Sequence, residues 1–326
     1  MDPKPQLTPL PPLPGIVSSI KSGIDLIAAH LPAMLFPLVL DLLLWFGPRL
    51  SVRSLFQPMV EQMLTDSASL PAEQVEAIRQ VIVEWLARYN LLTLLRTYPV
   101  GISSLMTAKL PALTPFGPPA RLEVHTLTDL LSWMALLTAA GWILGGLYFH
   151  WVSQIVAGPG AKPFLGRTLW ETVTLSLLFT LVVVMVGFPL LLVLAMIGLF
   201  SPAIMQAAVL VLLFFGAWLL IPLFFAPHGI YLHQQNALRS LYSAVRLARF
   251  TLPSSGLFVL AVFIIGQGLN YLWVVPPDDS WMLLVGIAGH AFITTALLAA
   301  SFIYYREIHL WLERIFERPQ AGPASL

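Results

Sequence analysis

No cysteine occurs in the chain, which excludes disulfides, thiolate catalysis and cysteine-ligated zinc or iron–sulfur sites. Charge is scarce too. Asp, Glu, Lys and Arg make up 10% of the 326 residues, whereas soluble domains carry about 25%. A soluble fold of this length would need a more polar surface. The net charge of +1 gives no electrostatic basis for binding nucleic acid. There is no GxxxxGK[ST] loop, no GxGxxG turn and no GxSxG elbow, and nothing assembles a Ser-His-Asp triad. No enzyme activity, cofactor or metal is therefore expected.

What is abundant is apolar: 58% of the residues, with 10 tryptophans and 19 phenylalanines. The apolar residues fall in runs too long for a soluble core. A bilayer's hydrocarbon core needs about 20 consecutive apolar residues. The runs predict about six crossings, over residues 27–46, 127–156, 169–200, 202–231, 255–275 and 281–305. The expected fold class is all-α, a polytopic membrane helical bundle in three hairpin-like units with amphipathic surface helices. Residues 1–15 read as a proline-rich tail, 16–312 as one membrane domain and 313–326 as a C-terminal tail. The first run is too long, and lacks the small-x-small ending, for a cleavable signal peptide. Pro189 and Pro222 fall inside the third and fourth runs, where they should kink them. GWILGG (Gly141 to Gly146) reads as a small-residue packing face.

Basic residues cluster in alternate short loops. Lys4 and Lys21 precede the first run, Lys162 and Arg167 the third, Arg239, Arg246 and Arg249 the fifth, and Arg306, Arg314 and Arg318 follow the sixth. The opposite short loops hold no Lys or Arg, and one holds Asp278 and Asp279. With six crossings all basic segments share one side, which predicts a cell-membrane protein with both termini in the cytoplasm. Residues 48–125 then form an extracytoplasmic helical insertion. Within it Val75, Ile78, Ile82, Trp85, Tyr89 and Leu92 trace one apolar helical stripe, with Glu76, Arg79, Gln80 and Arg88 opposite. A shorter stripe, Leu55, Met59 and Met63, precedes it. The stripes predict helices that cover the bundle mouth or lie in the interface, or else a partner-docking cap.

Three crossings follow similar basic amphipathic stretches: GIVSSIKSGIDLIAAH, KPFLGRTLWETVT and NALRSLYSAVRLARF. In the last, Arg239, Ser243, Arg246 and Arg249 form one stripe and Leu238, Leu241, Val245 and Ala248 another. Such helices should lie on the membrane surface, with the arginines against lipid headgroups or a partner. The chain thus reads as three units of surface helix, crossing and return crossing.

The segment FFAPHGIYLHQQNALRSLYSAVRLARFTLPSSGLFVL resembles a set of bacterial six-helix membrane proteins, among them the membrane domain attached to some glycerophosphodiester phosphodiesterases. The matching positions are Pro227, Ala237, Leu238, Leu241, Ser243, Leu247 and Arg249. The resemblance implies a six-crossing layout. No phosphodiesterase catalytic domain or metal-binding cluster accompanies it, so that activity does not carry over.

The ionisable residues within the runs are the remaining candidates: Asp41, His150, Glu171 and His290. Such groups are costly in lipid and often functional. Asp41 lies near the outer end of its run. His150 and Glu171 lie near inner ends, where they could pair with each other or with Lys162 or Arg167. His290 sits deeper among small residues. His228 and His233, five apart, present poor spacing for a shared metal. Two functional readings follow: a scaffold, assembly or partner-binding protein whose partners are membrane lipids and other membrane subunits, or a transporter of small solutes or lipids.

Overall fold

The computed structural model describes residues 13–66, 71–160 and 164–317. Most of the proline-rich tail, Lys4, Lys162 and Arg318 lie outside the described residues. The described chain is almost wholly helical, an all-α polytopic membrane bundle. Five helices are long and apolar enough to cross a membrane, and a bent pair makes a sixth span.

That bent pair corrects the first crossing. Residues 27–46 are not one helix. Helix α1 (Ile16–Ala29) and the segment Leu31–Phe46 meet at 100°. His30 leaves helical geometry, and Pro32 starts a 3₁₀ turn (Leu31–Met34) that leads into α2 (Leu35–Phe46). The 3₁₀ turn and α2 together measure about 26 Å, just short of a 30 Å hydrocarbon core.

A cap of residues 47–126 follows. It holds β1 (Arg49–Ser51), α3 (Arg53–Thr65), α4 (Ala72–Arg88), a 3₁₀ turn (Leu91–Leu95), the single-turn α5 (Met106–Lys109) and β2 (Arg121–Glu123), which pairs parallel with β1. The spans α6 (Leu127–Ala157), α7 (Leu165–Val182), α8 (Phe188–Phe200), α9 (Pro202–His233), α10 (Ala237–Trp273) and α11 (Leu283–Glu317) complete the order. A π-helical stretch, Val183–Gly187, joins α7 to α8 immediately before Pro189. Proline supplies no N–H for the regular helical ladder, and a π register accommodates the freed carbonyl.

A threefold repeat is visible in the packing. Helices α1, α7 and α10 start at Ile16, Leu165 and Ala237. Three residues on, each buries a hydroxyl: Ser19, Thr168, Ser240. Seven on, each buries a small or short residue: Gly23, Thr172, Ala244. Eleven on, each is buried again, at Ile27, Ser176 and Ala248. Starts one and two lie 149 residues apart, and starts two and three 72 apart. The difference of 77 is close to the length of the cap.

These entry helices close a ring. Helix α7 packs on α6, α10 on α9, and α1 on α11, so that each entry helix lies against the return helix of the preceding unit and the first unit meets the last. The return helices α6, α9 and α11 also touch pairwise at the centre. Close approach needs small side chains. A Cβ at Gly23 would lie 2.5 Å from the Ala296 carbonyl oxygen and 2.7 Å from the Ala300 Cβ. In the third unit the entry helix breaks at Thr251 (φ −127°, ψ 20°), 14 residues from its start, as the first breaks at His30. The second does not break there. The expected separate surface helix at KPFLGRTLWETVT is instead the start of one continuous span, Leu165–Phe200.

The cap helix also departs from expectation. Leu86 is buried, whereas Trp85 is 50% exposed and stacks on Tyr89. The facing side is rotated about one residue from the apolar stripe. Arg79, expected on the far face, turns toward α3 and pairs with Glu61 at 3.6 Å. The reason is that α4 packs chiefly on α3, so the hairpin's partner rather than the bundle decides which face is covered.

Candidate functional site

The cap does not merely cover the bundle; part of it enters. Helix α6 carries glycines at 141, 145 and 146. A Cβ at Gly141 would meet Thr97 Cγ2 at 2.6 Å and the Leu95 carbonyl oxygen at 2.7 Å, and one at Gly145 would meet the Cα of Gly101 at 2.6 Å. Gly145 lies 18 residues into α6, about 27 Å along its axis. Residues 95–105 are therefore a non-helical segment inserted well down the bundle, with Leu95, Val100, Ile102, Leu105 and Met106 buried. Irregular backbone at such depth is tolerated where protein buries it. GWILGG is thus a packing face, as its composition suggests, and its partner is this insert as well as α7.

Asp41 anchors the insert. It is fully buried on α2 and accepts three bonds: from the Ser104 hydroxyl at 2.5 Å, the Met106 N–H at 3.0 Å and the Leu105 N–H at 3.1 Å. Arg96 of the insert donates to Thr107 Oγ1 at 2.8 Å and lies 5.6 Å over the Tyr98 ring. His290 Nδ1 is bonded to Asn270 Oδ1 at 2.9 Å, joining α11 to α10, while its Nε2 has no partner among the described residues. Asp41 and His290 thus each have their own partner, Asp41 on the insert and His290 on α10.

The insert is fastened at its far end as well. Lys109 Nζ donates to the carbonyls of Val274 and Pro276 at 2.8 and 2.9 Å and pairs with Asp278 at 3.1 Å. The Asp278 carboxylate accepts from Ala112 N–H at 2.6 Å, and its carbonyl accepts from Trp45 Nε1 at 2.9 Å. Trp45, Phe46, Phe116 and Trp281 pack together beside it. Arg96, Ser104 and Lys109 were not singled out in the sequence. The available signal was the LLTLL run followed by Pro and Gly, an apolar stretch too short to span.

His150 and Glu171 lie toward the other end, with no bond between them or to Arg167 among the described residues, and Lys162 lies outside those residues. Glu171 Oε2 accepts from the Ala237 N–H at 2.8 Å, which places a carboxylate at the start of α10. His150 Nδ1 has no partner among the described residues. Arg239, Arg246 and Arg249 are exposed on α10, but the face that packs is Ser240–Ala244–Leu247. Leu238 and Val245 of the expected apolar stripe stay exposed. His228 bonds Ser301 at 2.8 Å, and His233 faces His309. No cluster of three or more metal-ligating side chains occurs among the described residues.

On the bundle axis, Phe149, Tyr231 and Phe302 meet, one from each return helix. Their ring centroids are 5.7, 6.0 and 6.1 Å apart. Tyr231 OH is bonded to Thr172 Oγ1 at 2.7 Å and Tyr148 OH to Thr295 Oγ1 at 2.9 Å, so the neighbouring hydroxyls are satisfied between helices. Aromatic packing thus joins the three return helices here, and the cap insert packs on α6 at Gly141 and Gly145.

No family model, curated protein or solved structure matches the chain.

Proposed function

We propose that this is a non-catalytic integral membrane protein that serves as a scaffold, assembly factor or partner-binding subunit. It resides in the cell membrane with both termini in the cytoplasm and the cap outside. The observation that carries the reading is the Phe149–Tyr231–Phe302 triangle, in which one ring from each return helix packs against the other two and the Tyr231 hydroxyl is bonded to Thr172. A solute route needs polar or water-filled lining. Asp41 supports the same reading, because its three bonds hold the cap in place. The partner-facing element is the α3–α4 hairpin, which exposes Met59, Met63, Ile78, Val81 and Trp85. Flexible methionines suit an adaptable contact surface. A photo-crosslinking residue placed at Met63 or Val81 in intact cells should give one discrete protein adduct. Lipid adducts alone, or none, would remove the partner-binding reading.

One observation favours transport instead. A non-helical segment packed against α6 carries Arg96 and is bonded to the buried Asp41, and broken backbone beside ionisable groups is how many transporters build a site. Under that reading Asp41→Asn would abolish solute flux in proteoliposomes. Under the scaffold reading, the intact protein supports no flux.

A further inference from the structure

Where α1 begins, its first turn and the kink of α10 border an open groove. Leu13, Ile16 and Val17 line one side, and Pro253 and Leu257 the other. Ser254 lies at its base, where it accepts from Tyr304 OH at 3.2 Å. No acidic residue is among the lining residues. Lys21 is exposed one turn past Val17, and Arg249 is exposed one turn before Pro253. Of the carboxylates on α1 and α11, Asp25 lies a further turn along α1, and Glu307 accepts from Ser19 at 3.4 Å on the buried face, behind the lining Ser18. The groove is thus lined without charge, mostly by apolar side chains, and an exposed cation follows or precedes its lining by one turn on each helix.

Its size decides the class of occupant. The lining runs through residues 13–18 and 253–257, little more than one helical turn on each side. An amphipathic helix docks through anchors spread over two turns or more. A soluble anion would leave the apolar walls unused. A molecule with a negative head and an apolar chain matches both features. The repeat offers an internal parallel. The start of α10 takes the Glu171 carboxylate on a backbone N–H, whereas at α1 no side chain caps the start and the Glu307 carboxylate is bonded to the Ser19 hydroxyl instead. Amides at a helix start favour negative charge.

We propose that this groove binds one anionic phospholipid, with its phosphate between Lys21, Arg249 and the first turn of α1, and an acyl chain along Val17, Pro253 and Leu257. The assignment stands independently of the scaffold reading. The breaks at His30 and Thr251, which free α1 and the first half of α10 from their spans, form the site.

The cysteine-free chain allows a direct test. Leu260→Cys, one turn beyond Leu257, carries a bimane fluorophore, and Leu210→Cys on the lipid-facing part of α9 serves as reference. Brominated phosphatidylglycerol is titrated against brominated phosphatidylcholine in mixed vesicles. Each cation near the headgroup is worth about fivefold. With two cations, phosphatidylglycerol should therefore quench the Leu260 probe at a mole fraction about 25-fold lower, with no preference at Leu210. The double variant Lys21→Glu/Arg249→Glu should lose the preference. Equal quenching by both lipids, or a preference that survives charge reversal, overturns the proposal. So does relief of quenching by millimolar inorganic phosphate, which would make the rim a free-phosphate site. A preference that appears only when residues 2–12 are deleted would make that segment the occupant, and would equally overturn it.

Discussion

Gly23 and Ala300 touch across the seam where the first helix of the chain meets the last. The seam between α1 and α11 closes the ring, and it joins residues separated by nearly the whole sequence. A side chain at position 23 has nowhere to go, because Ala296 and Ala300 present backbone and a methyl rather than a flexible tip. Gly23→Leu should therefore displace α1 and lower stability by about 1–3 kcal/mol, the usual cost of overpacking. Gly268→Leu, where a Cβ meets nothing within 4 Å, is the control. Thermal unfolding of the detergent-solubilised protein reads the difference, and equal midpoints would contradict the seam.

Asp41 holds three donors in a site closed to water. Asp41→Ala orphans all three, and a buried unsatisfied donor costs about 1–3 kcal/mol. Removing one donor with Ser104→Ala should cost less than half as much. Limited proteolysis should cut the cap of the Asp41→Ala variant first within residues 96–109. If both variants match the parent in midpoint and cleavage pattern, Asp41 is not the anchor.

Glu123 makes the cap sensitive to acid. Burial pushes its carboxyl upward. The Ser54 N–H, the Ser51 and Ser54 hydroxyls and the nearby Arg121 charge outweigh burial and hold it below the ordinary carboxylate range. A carboxyl depressed in the folded state contributes stability above its unfolded value and loses it as pH falls through the folded one. Amide exchange in β1 should therefore quicken as pH drops below about 4, after correction for intrinsic rates. Glu123→Gln should remove that dependence, and an unchanged profile in the variant would assign it elsewhere.

Much of this architecture is legible in the sequence, for physical reasons. Lipid demands long apolar runs, so the spans from α6 to α9 are readable to within a few residues. The break at His30 is not, because Leu31, Pro32 and Ala33 are as apolar as their neighbours and the composition does not change at the bend. The insert at residues 95–105 reads as a loop, because its burial depends on glycines 40 residues away on α6. Helical periodicity places an apolar stripe on α4, yet which side is covered depends on α3. The ionisable residues can be listed from sequence, but their partners cannot. Asp41 binds the insert 63 to 65 residues along the chain, His290 binds Asn270 on α10, and Glu171 binds the start of α10.

The proposed sidedness rests on the charge asymmetry of the loops. Single cysteines at Ala77 on the cap and at Tyr242 on α10, both exposed, should label oppositely with an impermeant thiol reagent on intact cells. Ala77→Cys should react and Tyr242→Cys should react only after lysis. Equal reaction at both would refute the proposed orientation.

The claim that the three return helices enclose a dry axis is tested most directly at Phe302, which is fully buried between Phe149 and Tyr231. In native membranes, Phe302→Cys should resist a small water-soluble thiol reagent added to either side or to both, while Ala77→Cys reacts fully. Modification of position 302 at a rate near that of position 77, from both sides, would show a water-filled route through the bundle and replace the scaffold with a transporter.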